Sequence, residues 1–253
     1  MRWSPTKYLD YADLRARPFH DLISRVGAQA PRRVVDLGCG PGNLTRELAA
    51  RWPGATIEAY DSSPEMVAAA QSAGVDARLL DVRDWLPSAD TDVVVTNAVL
   101  QWVPDHEALL RRWTAGLPAG GWLAMQVPGN FGAPSHVLPR ALAASARWSH
   151  RIGPLRAENS VAGPEEYAGL LADAGCAVDV WETTYMQALT GANAVLEWIT
   201  GTALRPVRTI LDDASWADFR AELAPLLEEA YPPRPDGTAW FPFRRIFAVA
   251  HKG

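Results

Sequence analysis

The chain has 253 residues, of which 48% are hydrophobic and 21% are charged, and its formal net charge at pH 7 is -5. This length and composition predict one globular domain, residues 1–253, with room for an insertion. An acidic chain without clustered Lys and Arg is not expected to bind nucleic acid, because neutralising phosphates requires grouped cations. No stretch approaches the ~20 apolar residues that span a bilayer, so no membrane is expected as a partner. No obligate protein partner is evident.

The two cysteines, Cys39 and Cys176, lie far apart in the sequence and in unlike contexts. A secreted disulfide framework needs several paired cysteines, so we expect free thiols in a reducing cytoplasm. The N-terminal residues lack the apolar core and the small-residue cleavage site of a signal peptide. Neither H-x-x-H nor C-x-x-C spacing occurs, so no metal is expected.

Short apolar runs alternate with helix-like segments in the first half of the chain, which is typical of a parallel sheet wrapped by helices. Leucines at four-residue spacing predict a helix that Pro53 and Gly54 end, and Ser63 followed by Pro64 predicts the capped start of the next helix. Ligands bind at the carboxyl ends of such strands. The five predicted strands are Arg33–Leu37, Thr56–Tyr60, Ala77–Leu80, Asp92–Thr96 and Trp122–Val127.

The second half predicts more helix and two further strands. Residues 128–163 and 187–237 are expected to form helical insertions that cover the ligand-binding edge of the sheet as a substrate cap. The predicted elements are helices over 135–147, 165–174, 192–201 and 215–231 and strands over 177–185 and 240–251.

A glycine-rich stretch from Val34 to Gly42 joins the first predicted strand to the first helix. Its glycines permit a tight turn and let a ligand approach the backbone. Acids stand near the ends of the first three strands, at Asp36, Asp61 and Asp81. A nicotinamide fingerprint needs a small residue where Asn43 stands, so that pattern fails.

The glycine stretch and the strand-end acids resemble the first motif of the class I S-adenosylmethionine-dependent methyltransferases, D-x-G-x-G-x-G after an apolar run. This resemblance covers roughly residues 30–186 and the last strand. It implies an α/β fold: a Rossmann-like, doubly wound, mostly parallel seven-stranded sheet with helical cap insertions.

Further stretches, 97–106, 175–181 and 203–206, resemble the members of that family that methylate trans-aconitate, as do Trp3-Ser4-Pro5 and Tyr8. The resemblance implies S-adenosyl-L-methionine as the cofactor. It also implies methyl transfer to a carboxylate of this small tricarboxylate, which gives a monomethyl ester and S-adenosylhomocysteine.

By the same resemblance, Asp61 would accept both ribose hydroxyls of the cofactor, Asp81 would accept from the adenine amine, and Asn97 would lie by the amino-acid end. Asp36 would organise the loop and act electrostatically. Asp61 as a helix-start acid, and Asp81 and Asn97 as turn or cap residues, remain structural alternatives. The residues expected at the cofactor are Asp36, Gly38, Gly40, Asp61, Ser62, Asp81, Val82 and Asn97.

The implied reaction needs no catalytic base, because a carboxylate with a solution pKa near ~4 is already ionised at pH 7. We therefore expect residues that only position the substrate. Its two non-reacting carboxylates require cations or hydroxyl donors, and bidentate Arg suits them. Each candidate is also open to a structural interpretation, as a surface, packing or core residue. The candidates are Tyr8, Gln101, Trp102, His136, Arg140, Tyr185, Arg205 and Arg245.

Three other functions stay open on the sequence. The alternatives are a methyltransferase for another small carboxylic acid or hydroxylated metabolite, a nicotinamide oxidoreductase, and a sensor that binds S-adenosylmethionine without turnover. A comparative assay on several acids, the spectrum of a bound cofactor, and the formation of S-adenosylhomocysteine would separate them.

Overall fold

A computed structural model describes residues 12–155 and 161–253, with side chains from residue 16 onward in the first range. The strands are β1 Arg33–Leu37, β2 Thr56–Asp61, β3 Ala77–Leu79, β4 Thr91–Asn97, β5 Trp122–Pro128, β6 Cys176–Thr190 and β7 Thr238–Lys252. The α-helices are α1 Ala12–Ser24, α2 Asn43–Arg51, α3 Pro64–Ser72, α4 His106–Gly116, α5 Pro134–Ala143, α6 Ser149–Ile152, α7 Pro164–Asp173, α8 Ala194–Thr200, α9 Arg205–Ile210 and α10 Asp213–Ala230. None of these helices of the described residues has both the length and the apolar character that a membrane crossing requires.

The seven strands form one sheet in the order β3-β2-β1-β4-β5-β7-β6. Parallel pairing joins β3 to β2, β2 to β1, β1 to β4 and β4 to β5. β7 runs antiparallel to β5, because the Lys252 N–H donates to the Gly121 carbonyl near one end and the Gly129 N–H donates to the Arg244 carbonyl near the other. The predicted fold class, α/β with a doubly wound and mostly parallel seven-stranded sheet, is confirmed. The strand order reverses between β1 and β4, the position at which such sheets bind ligands.

The first five strands begin and end within one residue of the predicted positions. The sixth is longer than predicted, because β6 continues past Tyr185 to Thr190. Tyr185, Gln187 and Leu189 are buried while the residues between them are exposed, so the period-two pattern of a half-buried strand runs to the end of β6.

The helices differ from the prediction in two ways. The helix predicted over 135–147 ends at Ala143, since the Ser145 N–H bonds to Leu142 in a tightened last turn. Arg147 lies beyond that end and pairs with carboxylates of α10. Four helices, α1, α4, α6 and α9, were not predicted. α1 contains Pro18, α6 and α9 are four and six residues long, and α4 begins without a side-chain cap, so each carries a weak helical signal.

The chain divides into two compact units. The first comprises the described residues up to Val127, together with Ala162–Glu182 and Arg245–Gly253. The middle of its sheet is apolar, with Val34, Val94 and Leu123 fully buried. Burying such side chains stabilises the fold by roughly 1.5 to 3 kcal/mol each.

The second unit comprises the described residues from Pro128 to Val161 and Thr183–Arg244. Its longest helix, α10, packs against α5 and α8. Trp148 and Phe219 are buried edge to face, with ring centroids 5.4 Å apart. The predicted insertions 128–163 and 187–237 concern this unit, and their role as a substrate cap stays a prediction.

Candidate active site

The glycine stretch after β1 turns through three left-handed positions, with φ of 80° at Gly38, 56° at Gly40 and 80° at Gly42. A Cβ at Gly38 would lie 2.1 Å from a methyl of Val99, and one at Gly42 would lie 3.0 Å from the Cβ of Ala70. At Gly40 a Cβ would meet no atom of the described residues within 4 Å. Gly38 and Gly42 therefore serve the packing of the loop, whereas Gly40 is where a ligand can lie directly against its backbone.

Asp61, the last residue of β2, faces this loop. Its Oδ2 accepts from the Gly40 N–H at 2.9 Å, and its Oδ1 accepts from the Ser63 N–H at 2.8 Å. Burial raises the pKa of Asp61 above its usual value, although the backbone N–H groups act in the opposite direction. Ser62, the next residue, is exposed. A fixed carboxylate held by neutral donors is suited to accept hydrogen bonds from the hydroxyl groups of a ligand, or to lie next to a positive charge.

Asp36 lies inside β1 and is only 4% exposed. The Thr45 hydroxyl of α2 donates to its Oδ2 at 2.6 Å, which ties the strand to the helix behind the glycine stretch. Burial raises the pKa of Asp36 to about 6, and the negative charge of Asp61 raises it further, while the Thr45 bond lowers it. Asp36 and Asp61 thus place negative potential on the loop.

The raised pKa of Asp36 makes stability depend on pH. The folded state binds this proton more tightly than the unfolded chain, so the contribution is fully present below the unfolded pKa of 3.8 and is lost as the pH rises through about 6. Lowering the pH from about 7 to about 5 should stabilise the protein by ~1 kcal/mol more than it stabilises Asp36→Asn. Denaturant unfolding of both proteins without ligand measures the difference. Parallel pH profiles would contradict the assignment.

Cys39, within the glycine stretch, lies in apolar surroundings. It is 7% exposed and packs with Ala59, Val67, Ala70 and Ala77. Burial raises the pKa of its thiol well above the usual range, and the charges of nearby carboxylates raise it further. Its role in the loop is packing.

Asp81 follows β3 and is held by its neighbour Arg83. The Arg83 guanidinium donates to both carboxylate oxygens, at 2.9 and 2.6 Å, and the Arg83 N–H donates to Oδ1. This hydrogen-bonded pair lowers the pKa of Asp81. Val82 is buried beside it. The pair fixes the turn after β3, and a role for Asp81 and Val82 at adenine stays a prediction.

Polar side chains gather where β4 ends. Among the described residues, Asn97 Oδ1 and Gln101 Oε1 are buried and have no hydrogen-bond partner. Gln101 Nε2 donates to the Ala98 carbonyl at 2.7 Å, and the Ala98 N–H donates to the backbone carbonyl of Gln126 in β5. Ala98 has a φ of 59°, a strained conformation for a residue with a Cβ. Trp102 is half-buried in the 3-10 helix Leu100–Trp102 that follows.

The predicted substrate residues divide between the two units. Arg245 lies in the first, with Gln101 and Trp102, and it is 6% exposed. His136, Arg140, Tyr185 and Arg205 lie in the second. Tyr8 lies outside the described residues.

Within the second unit, α5 carries His136 and Arg140. The Arg140 Nη1 donates to the Phe131 carbonyl at 2.8 Å, and the His136 ring stacks edge to face with Phe131 at 5.1 Å. Tyr185 is buried in β6, and Arg205 begins α9, where partial burial lowers its pKa. These groups provide positive charge and a hydroxyl, which are the donors that an anion needs.

Two further polar residues were missed by the sequence analysis. Gln126 in β5 is fully buried, and Asn130 after β5 is 4% exposed. Within the described part of the chain, Gln126 Nε2 and both side-chain polar atoms of Asn130 lack a partner. The amide inside the apolar run Trp122–Val127 was a signal, because a polar residue at a fully buried strand position is costly.

The first unit suits a ligand with hydroxyl groups and positive charge. Asp61 offers an acceptor, Asp36 adds negative potential, and the backbone at Gly40 is open to contact. The Oδ1 of Asn97, which has no partner among the described residues, is a further buried acceptor. A polyphosphate is a poor fit to this set, because carboxylates repel it. These acceptors instead fit a nucleoside with a cationic side chain.

Comparison with known sequences agrees with this chemistry. A family model described as a methyltransferase domain matches residues 11–180. The trans-aconitate 2-methyltransferase of Rhodococcus jostii (strain RHA1) is 66% identical over 250 residues, which cover 98% of each chain.

Solved structures share the fold at low identity. The YcgJ protein from Bacillus subtilis superposes with a TM-score of 0.60 at 13% identity, over 94% of this chain and 98% of that one. The phosphoethanolamine N-methyltransferase 2 of Haemonchus contortus, solved with S-adenosylhomocysteine, gives a TM-score of 0.53 at 16% identity, over 93% of this chain and 52% of that one.

Proposed function

Because the chain belongs to the class I S-adenosylmethionine-dependent methyltransferases and, within them, to the family of the trans-aconitate 2-methyltransferases, we propose that it methylates a carboxylate of trans-aconitate. The products are the monomethyl ester and S-adenosylhomocysteine. The observation that carries this proposal is the 66% identity over 98% of both chains with the Rhodococcus jostii enzyme. The acidic, glycine-lined site of the first unit supports it.

The cofactor of this family, S-adenosyl-L-methionine, supplies a methyl group on a positively charged sulfur. We assign the ribose hydroxyls to Asp61, whose carboxylate is fixed by the Gly40 and Ser63 N–H groups. Gly38 and Gly40 line the methionine part, and Asn97 receives the amino-acid end. The remaining predicted cofactor residues keep their proposed roles: Asp36 and Ser62 at the loop, and Asp81 and Val82 at adenine.

The substrate brings three negative charges, so its binding requires positive or hydroxyl-bearing side chains. We propose Gln101, Trp102 and Arg245 of the first unit for this task. A guanidinium that holds a carboxylate by two parallel bonds fixes its orientation as well as its charge. His136, Arg140, Tyr185 and Arg205 of the second unit keep their predicted role in substrate binding.

The reacting oxygen belongs to an ionised carboxylate, so the protein contributes position rather than a base. Holding the two reactants in contact, roughly 3 to 3.5 Å apart and without intervening water, is the main source of acceleration in such a transfer. His106, the histidine closest in sequence to the end of β4, is committed elsewhere. Its Nε2 shares a 2.6 Å hydrogen bond with the Tyr167 hydroxyl in the core of the first unit.

Because the reaction needs no base, we predict that the rate of methyl transfer is nearly independent of pH. In single turnovers with both ligands bound, the methyl-transfer rate should change less than about threefold between about pH 6 and about pH 8.5, since the substrate carboxylates titrate far below this range. Rapid-quench assays across this range test the point. A tenfold rise that follows one ionisation would show that an enzyme group titrates in the reaction.

Mass spectrometry of the product tests the function itself. With trans-aconitate and a cofactor labelled in its methyl group, one label should appear in a monoester and an equal amount of S-adenosylhomocysteine should form. A higher kcat/KM for another small acid or for a hydroxylated metabolite would instead favour the second candidate, a methyltransferase of different specificity. Formation of no S-adenosylhomocysteine with any acid would reject both.

We also propose that the reaction takes place in the cytoplasm. Cys39 and Cys176 are both free. Free thiols are typical of proteins kept in a reducing compartment.

A further inference from the structure

His106 and Tyr167 are joined by buried hydrogen bonds inside the first unit, where α4 packs against α7. His106 begins α4 and is 5% exposed, and Tyr167 in α7 is fully buried. His106 Nδ1 lies 3.1 Å from the Val103 carbonyl, and its Nε2 lies 2.6 Å from the Tyr167 hydroxyl. The Ala162 N–H donates to the same hydroxyl at 3.3 Å. We call Val103, His106, Tyr167 and Ala162 the His–Tyr bridge.

Each hydrogen bond of the bridge has one direction. A carbonyl oxygen only accepts, so Nδ1 of His106 carries the ring proton and Nε2 accepts. The Tyr167 hydroxyl therefore donates to Nε2 and accepts from the Ala162 N–H. Burial lowers the pKa of His106, which keeps the ring neutral at pH 7, as this arrangement requires. The bridge thus ties the Val103 carbonyl to helix α7.

The bridge holds a strained segment, the residues that connect β4 to α4, which we call the β4–α4 segment. Both of its ends are left-handed at residues with a Cβ, with φ of 59° at Ala98 and 55° at Asp105. Such conformations are costly and persist where surrounding contacts enforce them. Val103 follows the 3-10 helix Leu100–Trp102 within the segment, so the bond to its carbonyl is one of those contacts.

The β4–α4 segment carries two of the residues proposed to bind the substrate, Gln101 and Trp102. They lie beyond the sheet, because β4 ends at Asn97. Asn97, proposed at the cofactor, is held by the sheet, since its register partner is Gln126 in β5. The Gln126 carbonyl also accepts from the Ala98 N–H. Loss of the bridge should therefore disturb the substrate side of the segment more than its cofactor side.

We propose that His106 and Tyr167 are positioning residues that hold the β4–α4 segment in the conformation that binds the substrate. The inference rests on the proposed function, because it requires Gln101 and Trp102 to contact the substrate. Without the bridge, the segment can relax its strained ends and adopts the binding conformation only part of the time. The apparent substrate affinity falls by that fraction, whereas the complex, once formed, has the same geometry. The bridge therefore acts on KM rather than on kcat.

Tyr167→Phe tests the proposal, because it removes the hydroxyl and keeps the ring that packs in the core. The KM for trans-aconitate should rise about tenfold, as expected for the loss of one buried hydrogen bond, and kcat should stay within about threefold. Calorimetric titration of trans-aconitate into the enzyme saturated with S-adenosylhomocysteine should show the same loss of affinity. The affinity for S-adenosylhomocysteine itself should stay within about twofold of the wild type.

His106→Asn breaks the same hydrogen bond from the other side. The asparagine amide can donate to the Val103 carbonyl as Nδ1 does, but asparagine has no atom at the position of Nε2. This variant should raise the KM about as much as Tyr167→Phe does. The double variant should raise it no further than the larger single change, because both changes remove one shared contact. Residues that only fill the core would not show this coupling in KM.

Thr114→Val is the matched control. Thr114 lies in the same helix, α4, is fully buried, and its hydroxyl donates to the Leu110 carbonyl at 2.7 Å. The variant therefore loses a buried hydroxyl and its hydrogen bond but leaves the His–Tyr bridge intact. It should keep the wild-type KM for trans-aconitate even where its melting temperature falls as much as that of Tyr167→Phe.

An unchanged KM in folded Tyr167→Phe would overturn the inference and leave the proposed function standing. Equal losses of affinity for trans-aconitate and S-adenosylhomocysteine, or additive rises of KM in the double variant, would overturn it as well. If Tyr167→Phe fails to fold, His106→Asn is held to the same expectations for KM, kcat and cofactor affinity. Failure of the wild type to esterify trans-aconitate or any other small acid would overturn the proposed function, and the inference with it.

Discussion

Replacing Asp61 with alanine will weaken the binding of S-adenosylmethionine by about 2 to 4 kcal/mol, a loss of ~30- to ~1000-fold in affinity. The carboxylate is held towards the loop by the Gly40 and Ser63 N–H groups, so the ribose hydroxyls would meet a fixed, charged acceptor. Alanine removes that acceptor and leaves the Gly40 N–H without its bond. Isothermal titration calorimetry with S-adenosylmethionine and with S-adenosylhomocysteine measures the effect.

Asp92→Ala is the control for the loss of one negative charge. Asp92 lies near the start of β4, at the other end of the parallel strands, and pairs with Arg32 at 2.7 Å. Cofactor affinity in this variant should stay within about twofold of the wild type. Similar losses in both variants would mean that Asp61 acts through overall charge or stability rather than through contact with the cofactor.

Gly38→Ala should mainly lose stability, whereas Gly40→Ala should mainly lose cofactor affinity. A Cβ at Gly38 would lie 2.1 Å from Cγ2 of Val99, and the residue has a φ of 80°. Overpacking and the left-handed backbone together should cost ~2 to 5 kcal/mol of the free energy of unfolding. At Gly40 only the backbone cost of ~1 to 2 kcal/mol applies, because a Cβ there would meet no atom within 4 Å in the described part of the chain. Gly40→Ala should therefore stay folded and lose cofactor affinity.

Urea unfolding and calorimetry on the two variants separate these effects. In the Gly38→Ala background, Val99→Ala removes the methyls that collide and should recover at least ~1 kcal/mol of the lost stability. The same Val99 change in the wild type should only destabilise. Equal stabilities for Gly38→Ala and Gly40→Ala, or full cofactor affinity in Gly40→Ala, would contradict the division of roles within the loop.

The features that were predicted best from the sequence are those that depend on nearby residues. The strand boundaries and the turn at the glycine stretch depend on residues that are neighbours along the chain, and Ser63 caps α3 as expected, its hydroxyl accepting from the Met66 N–H. Asp61 reaches Gly40 because β1 and β2 pair in parallel, a consequence of the predicted topology.

The contacts that could not be predicted from the sequence depend on the pairing of strands that are far apart in the chain. Gln126 meets Arg245 across 119 residues, and this contact exists only because β7 lies beside β5. Arg83 binds Asp81 two residues away, yet its side-chain direction is not encoded in the spacing of the acids. The predicted substrate residues were chosen by their chemistry and by the resemblance, so the prediction could not say which of them share a unit.

The packing of Cys39 determines how the loop responds to oxidants. Alkylation and oxidation of a cysteine require the thiolate, which a raised pKa keeps scarce at neutral pH. The apolar cluster of Ala59, Val67, Ala70 and Ala77 also encloses the sulfur. The glycine stretch can therefore carry a thiol at the proposed binding site of a methyl-donating cofactor without that thiol being a target for the electrophile or a point of redox inactivation.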